Sequence, residues 1–157
     1  MQTNYTMYQD AGLAGLIYDL SAHDTFSLSA EGPVLIGGPL VLGTNKERQC
    51  KSVTTAAGQA ALVIGVSILQ YDFEQAGNTP ALAYADKETV SVMKKGRIWV
   101  NVNDAVTAGA AANLHLATGK FTDDAVGAGI EAFSQILAKF LTSTTGAGLA
   151  VLEFQQK

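Results

Sequence analysis

The sequence predicts a mainly β fold, a single-domain, jelly-roll-like sandwich or barrel of about ten short strands with little helix. The chain has 157 residues, which is the length of one domain. Glycine and proline recur along it, and the runs between them are short and rich in valine, isoleucine, leucine and threonine. This pattern is typical of many short strands rather than of a helical bundle.

The domain organisation is expected to be simple. No linker-like stretch, charge block or fixed-period repeat divides the sequence. We therefore expect a flexible N-terminal arm over residues 1–12, followed by one jelly-roll-like β domain over residues 13–157.

The composition restricts the kinds of partner. Hydrophobic residues make up 48% of the chain and charged residues only 15%, and the formal net charge is −4. No basic stripe is present to neutralise phosphates, so direct nucleic-acid binding is not expected. The longest apolar run, residues 60–69, is too short to cross a bilayer, and the N-terminus lacks a secretory signal pattern. We expect a soluble, cytoplasmically synthesised protein with no membrane partner, whose weakly charged surface is covered by something else.

The first half of the chain contains four candidate strands. Residues 15–20 place alternate apolar side chains on one face, and residues 25–29 alternate strictly between polar and apolar. An apolar run at residues 39–43 follows a Gly–Gly break. Residues 61–69 are almost continuously apolar, which fits a strand buried on both faces.

The clearest local signal is a predicted β-hairpin. Residues 89–93 and 97–102 both alternate, and the Lys-Lys-Gly sequence between them ends in Gly96, which favours a tight turn. In the second strand Ile98 faces the core and Trp99 points to the opposite side, where another layer or a partner covers it.

The C-terminal third is less uniform. Residues 110–121 repeat the alternating pattern with a glycine break, and residues 148–154 are predicted to form a strand. Periodicity leaves residues 125–141 open between two structures. One set of apolar residues has helical spacing and another alternates as in a strand: Ile130, Phe133, Leu137 and Phe140, against Ile136, Ala138 and Phe140.

The ionisable residues do not form a catalytic or metal-binding set. The two histidines, His23 and His115, lie far apart in sequence and lack a nucleophile and an orienting acid at a suggestive spacing. The adjacent Asp123 and Asp124 are interpreted as a solvated loop, with a weak calcium site as the alternative. We expect no catalytic, cofactor-binding or metal-binding residues, and no cofactor.

Cysteine and glycine usage lead to the same conclusion. A lone cysteine, Cys50, excludes an internal disulfide and a cysteine-based zinc site. Its basic neighbours are of the kind that lowers a thiol pKa, but no histidine lies nearby in sequence, so it is interpreted as an incidental surface thiol. The glycine-rich stretches at residues 35–39 and 145–148 lack the lysine and hydroxyl residue of a phosphate-binding loop, so they are interpreted as turns. A strand-rich protein without reactive side chains is expected to act through an interface.

Four segments then carry a resemblance through their order and spacing. They are the run Val-Ser-Val-Met-Lys-Lys-Gly-Arg-Ile-Trp-Val at residues 90–100, Asp-Ala-Val-Thr-Ala-Gly at 104–109, Lys-Phe-Leu-Thr-Ser at 139–143 and Gly-Leu-Ala-Val-Leu-Glu at 148–153. Together they resemble the structural cement (decoration) proteins of tailed-phage capsids. The chain departs from that family pattern at Ala110–Ala112 and over residues 122–135.

The resemblance implies a non-enzymatic protein of the virion. Members of such a family have a jelly-roll-like domain that binds the outer capsid surface and bridges neighbouring subunits of the major capsid protein. They are usually homo-dimers or homo-trimers on the shell, and assembly takes place in the cytoplasm of the bacterial host. The resemblance also favours a strand over a helix for residues 136–143.

Aromatic residues and methionine are enriched in protein interfaces, and this suggests contact residues. Six residues are predicted to contact the shell: Tyr5, Met7, Tyr8, Tyr71, Phe73 and Trp99. The first three lie on the N-terminal arm, which we expect to become ordered on the shell. For Trp99 a position in the protein core is the competing interpretation.

Two other functions are compatible with the same sequence. One is another virion structural protein, such as a head-completion or tail component. The other is a carbohydrate-binding attachment module in which Trp99, Tyr71 and Tyr84 stack on sugars.

Overall fold

A computed structural model describes residues 12–19, 21–70 and 83–156. These residues contain twelve strands and a single 3₁₀ turn at Ala60–Leu62, so the predicted mainly β fold with little helix is confirmed. The strands are β1 (Asp24–Ala30), β2 (Val34–Leu35), β3 (Pro39–Leu42), β4 (Gln49–Ser52), β5 (Val63–Ser67), β6 (Ala83–Tyr84), β7 (Thr89–Val102), β8 (Asn113–His115), β9 (Lys120–Thr122), β10 (Ile130–Ala132), β11 (Ile136–Phe140) and β12 (Gly148–Gln156).

The first half of the molecule is a small closed barrel. Its strands follow the order β1-β4-β3-β5-β7, and β1 pairs again with β7 to complete the ring. Only the first half of β7 takes part, because β1 pairs with residues 89–95 and β5 pairs with Val92 and Met93. A short β2–β6 ribbon accompanies the barrel, and its Val34 and Tyr84 are buried in the barrel core.

The second half of β7 pairs with a different set of strands in the same hydrogen-bonded sheet. On one edge, residues 95–102 pair with β12, and β12 pairs with β11. On the other edge lies an extended segment, residues 12–19, which we call the strap. A bridge between Ile17 and Ile98 fixes its register, so the predicted strand at residues 15–20 is reduced to an isolated bridge. Val102 also pairs with β9, which leads on to β8 and β10.

Two hydrophobic clusters share one wall. Adjacent residues of β3, Leu40 and Val41, belong to different clusters because successive side chains of a strand point to opposite faces. The same holds for Val92 and Met93 on β7, both of which have no exposed surface. The β3–β5–β7 wall is therefore buried on both sides, as the apolar run at residues 61–69 predicts.

The predicted hairpin at Lys94–Gly96 is wrong, since β7 continues through it as one strand of 14 residues. Gly96 has a φ of +141°, which allows the strand to bend between its two sets of partner strands. The two alternating runs on either side of Gly96 pair with different strands and not with each other. Lys95 lies opposite Asp24 of β1 on one edge and Gln155 of β12 on the other.

The open and the incorrect expectations elsewhere have simple structural explanations. Residues 130–132 and 136–140 are strands, so the strand interpretation of this region is confirmed.

Cys50, expected to be a surface thiol, is fully buried in the barrel, and this burial raises its pKa to about 11. Its side chain points inward with Leu40 and Ala30, whereas the charged neighbours Arg48 and Lys51 remain accessible.

Candidate interaction surface

The sheet formed by β7, β12 and β11 has one buried and one open face. Even-numbered residues such as Ile98, Leu152 and Phe140 point into the larger hydrophobic cluster. The odd-numbered residues point the opposite way, and the register aligns them across the strands: Trp99 with Val151, and Arg97 with Glu153 and Lys139. We call this surface the outer face; it comprises the odd-numbered residues 95–101, 149–155 and 137–139.

Trp99 lies on the outer face of β7, between the strap on one edge of the strand and β12 on the other. Its backbone carbonyl accepts a hydrogen bond from Gly15 N at 2.7 Å, and its own N–H donates to the Leu16 carbonyl at 2.9 Å. The Tyr18 ring meets the indole edge-on with a centroid separation of 5.8 Å. A Cβ added at Gly12 would lie only 2.6 Å from the indole, so a glycine is needed where the chain crosses Trp99.

Val151 marks an apolar centre outside the protein core. It has no exposed surface, yet neither hydrophobic cluster of the described residues includes it. Its side chain lies on the outer face beside its cross-strand partner Trp99. Its N–H donates to Thr142 Oγ1 and its carbonyl accepts from Leu141 N, which holds the chain after β11 against this position.

An ionic cluster joins the strap to the sheet on the same face. Arg97 Nη1 lies 2.8 Å from Asp19 Oδ2, and Arg97 Nε lies 3.1 Å from Glu153 Oε1. Hydrogen bonds from Ser21 and then from Arg97 lower the pKa of Asp19. The hydrogen bonds to Asp19 and Glu153 raise the pKa of Arg97 further. The guanidinium therefore stays charged and orients two carboxylates at the surface.

Cavities flank this central region on both sides. One of about 410 Å³ is lined by residues that include Leu13, Leu35 and Leu149. Another of about 390 Å³ lies at the opposite edge, beside Leu137 and Lys139. Leu13 is 54% exposed and Leu137 is 58% exposed, so large apolar side chains form the rims of both cavities.

The structure places one of the six predicted contact residues, Trp99, on the outer face. The other five, Tyr5, Met7, Tyr8, Tyr71 and Phe73, lie outside the described residues. The nearest described parts of both segments do come together beside the strap. Gly12 crosses Trp99, and Leu69 N donates a hydrogen bond to the Gly15 carbonyl at 2.8 Å.

Sequence reasoning missed the exposed apolar residues Leu13, Tyr18, Leu35 and Leu137. The sequence pattern places Leu137 only in the apolar set with helical spacing, and the strand register that brings it to the outer face comes from its pairing with Gln155. Tyr84 is unsuited to stacking on a sugar, because it is buried and its hydroxyl donates to the Ile68 carbonyl. Burial raises the pKa of Tyr84 to about 12.

The histidines and the paired aspartates have local partners. His115 Nδ1 lies 3.0 Å from Thr118 Oγ1, and His23 Nδ1 lies 3.1 Å from the Ser21 carbonyl. Asp123 Oδ2 accepts a hydrogen bond from Thr107 N at 2.8 Å. Within residues 12–19, 21–70 and 83–156, no group of three or more His, Cys, Asp or Glu side chains could hold a metal ion. No helix in these ranges is long and apolar enough to span a membrane.

The outer face can bind a partner by shape and charge, through the half-buried Trp99, fixed ionic groups and cavities with apolar rims. A family model described as "Structural cement protein (E217 gp24/Pam3 gp6)" matches residues 1–155 of the chain. A chain of the solved structure "The capsid of Myoviridae Phage XM1" is similar in fold, with a TM-score of 0.69 at 13% sequence identity. The likeness covers 98% of this chain and 96% of that chain. No curated protein sequence matches.

Proposed function

Because this chain belongs to the structural cement protein family, it is a structural protein of the phage capsid, and we propose that it clamps neighbouring subunits of the shell together. Its partner in this proposal is the major capsid protein, bound at the outer surface of the shell. The role requires binding and no catalysis. Assembly onto the shell takes place in the cytoplasm of the bacterial host.

The outer face is the observation that supports this proposal most strongly. A sheet normally covers its second face with another layer or leaves it polar. Here Leu137 stays exposed on the outer face and Leu13 is exposed on the strap along its edge, and the Arg97 ionic cluster lies on the same face. An apolar centre with a charged surround is the usual anatomy of a specific protein interface.

The physical benefit comes from repetition over the shell. A capsid under internal pressure fails where adjacent subunits separate, and a small domain bound across that boundary adds buried area there. An interface of roughly 1,600 Å² is enough for specific binding. Many copies on one shell multiply the effect without changing the lattice, because each acts at its own boundary.

The remaining predicted contacts extend this surface. Tyr5, Met7 and Tyr8 precede the point at which the chain crosses Trp99, and Tyr71 and Phe73 follow Leu69, which is hydrogen-bonded to the strap. In the proposal all of them contact the shell around the outer face. The protein acts there as a homo-dimer or homo-trimer, with no direct nucleic-acid or membrane partner.

The test compares two leucines of equal exposure. Leu137 on the outer face is 58% exposed, and Leu62 next to the barrel is 59% exposed. Purified protein is added to shells that lack it, and the temperature at which the shells lose their contents is measured. The wild type and Leu62→Asp are expected to raise this temperature, whereas Leu137→Asp is expected to bind at least about tenfold more weakly and raise it less.

Two results would contradict the proposal. One is that the wild type neither binds empty shells nor raises the release temperature. The other is electron microscopy showing the protein at a single vertex or on the tail, which would assign it to head completion or the tail instead.

A further inference from the structure

The barrel contains an exposed sheet edge at the start of β1. One edge of β1 pairs with β7 over residues 24–29. The other edge pairs with β4 only at Ser29 and Ala30, and no described segment pairs with residues 24–28 on that side. The barrel is thus closed at one end of β1 and open at the other.

Strand alternation identifies which backbone groups face the open edge. Ser29 N donates to the Arg48 carbonyl on the β4 side, whereas Ala30 N donates to the Glu88 carbonyl beside β7. Backbone groups of alternate residues point the same way, so the N–H and C=O groups of Thr25 and Ser27 face the open edge with Ser29. These are four strong hydrogen-bonding groups in a regular row.

The sequence of this edge carries little protection against pairing. Natural edge strands are usually blocked by proline, lysine or a central bulge. Residues 25–28 are Thr-Phe-Ser-Leu, with neither a proline nor a charge, and the register shift of β1 falls before them, between Asp24 and Thr25. The edge is therefore suited to accept another strand.

We propose that this edge pairs with the same edge of a second copy of the chain, forming an antiparallel β1–β1 interface about a two-fold axis through Phe26. In this register Thr25 of each copy exchanges backbone hydrogen bonds with Ser27 of the other, giving four bonds in total. The two Phe26 residues face each other as a non-hydrogen-bonded pair, whose Cα atoms lie about 4.5 Å apart in such sheets. A two-fold interface is self-complementary, so it makes a dimer and closes.

Charge complementarity supports a second copy as the occupant. Lys94 Nζ lies 4.4 Å from the centre of the Phe26 ring on the same chain. Asp24, Phe26 and Leu28 alternate onto one face of β1, so Asp24 of one copy becomes the diagonal neighbour of Phe26 in the other. The exposed Asp24 carboxylate then approaches the other copy's Lys94 ammonium, and the axis repeats this contact.

This dimer leaves the outer face unused, since that face belongs to the other half of β7. Each dimer would present two outer faces to the shell, which deepens the proposed bridging role. Different results contradict the two proposals. A monomer that still stabilises shells contradicts only the proposed β1–β1 interface, and a dimer that does not bind shells contradicts only the proposed capsid role.

The first experiment traps the predicted contact. Phe26→Cys is expected to form an intermolecular disulfide under mild oxidation, because facing non-hydrogen-bonded residues lie within disulfide range. Cys50 is buried and takes no part, and Thr55→Cys at an exposed site is the matched control. A non-reducing gel should show a dimer for the first variant only. No dimer, or equal dimer for both, overturns the proposal.

The second experiment keeps Phe26 and measures mass by analytical ultracentrifugation over a range of protein concentrations. Wild type and Ser27→Thr are expected to dimerise, and Ser27→Pro, which removes an edge N–H, should weaken the dimer at least about tenfold. Asp24→Lys should weaken it about threefold to tenfold, and adding Lys94→Asp should restore it. A wild type that is monomeric at every concentration, a trimer, or a dimer insensitive to Ser27→Pro contradicts the proposal.

Discussion

The two halves of β7 have the same alternating pattern but different surroundings. Between Thr89 and Lys95 the strand forms part of a closed barrel whose β3–β5–β7 wall is buried on both sides. Between Arg97 and Val102 it has a hydrophobic cluster on one side and the outer face on the other. Burial on both sides provides stability, and burial on one side leaves a surface for binding.

The largest expected effect is on the barrel side, at Gly65. A Cβ at this position would lie 2.5 Å from the Met93 carbonyl oxygen and 2.5 Å from Val92 Cγ1. Gly65→Val should therefore force β5 away from β7 and lower the free energy of unfolding by about 4 kcal/mol or more. Urea denaturation measures this. Gly146→Ala, where a Cβ meets nothing within 4 Å, should leave it unchanged or slightly higher. Equal effects of the two variants would contradict the tight β5–β7 approach.

The next effect separates a barrel leucine from an outer-face leucine. Leu40 is fully buried, and Leu40→Ala should lower the free energy of unfolding by about 3 kcal/mol. Leu137 is 58% exposed, and Leu137→Ala should change it by less than about 0.5 kcal/mol. Thermal and urea denaturation of both variants provide the comparison. A large loss for Leu137→Ala would mean that the outer face stabilises the fold and is not reserved for a partner.

The smallest effect concerns the ionic cluster that fixes the strap. The pKa of Asp19 is below its ordinary value of 3.8, so the folded state favours the charged carboxylate. The resulting stability is fully present above pH 3.8 and is lost as the pH falls through the lower, folded-state pKa. Asp19→Asn should be slightly less stable than wild type at neutral pH, and the difference should vanish in strong acid. Melting temperatures across this range test it, and a difference that persists in strong acid would contradict the assignment.

The sequence pattern is sufficient to predict those strands whose structure follows from the residues of a single segment. Strict alternation predicts β1, residues 148–154 are also predicted as a strand and form most of β12, and the continuous apolar run predicts the doubly buried β5. The outward orientation of Trp99 follows from the same parity. These features depend on period-two geometry alone, which is present in any single strand.

Pairing across long sequence distances was not predictable in the same way. The Lys-Lys-Gly sequence favours a turn locally, but Lys95 meets Asp24 and Gln155, which lie far away in the chain. The burial of Cys50 depends on ring closure between β1 and β4, and its basic neighbours give no sign of this. For the interaction surface, the sequence identified Trp99 but not Leu137, because the position of Leu137 depends on a register that only the β11–β12 pairing defines.

The central claim is that the outer face clamps the shell, and a reconstruction of decorated shells by electron microscopy tests it most directly. We predict many copies across the shell, each spanning a boundary between capsid subunits, with Trp99, Arg97 and Leu137 on the side facing the shell. Copies that contact the shell through the barrel while the outer face points to solvent would contradict this account.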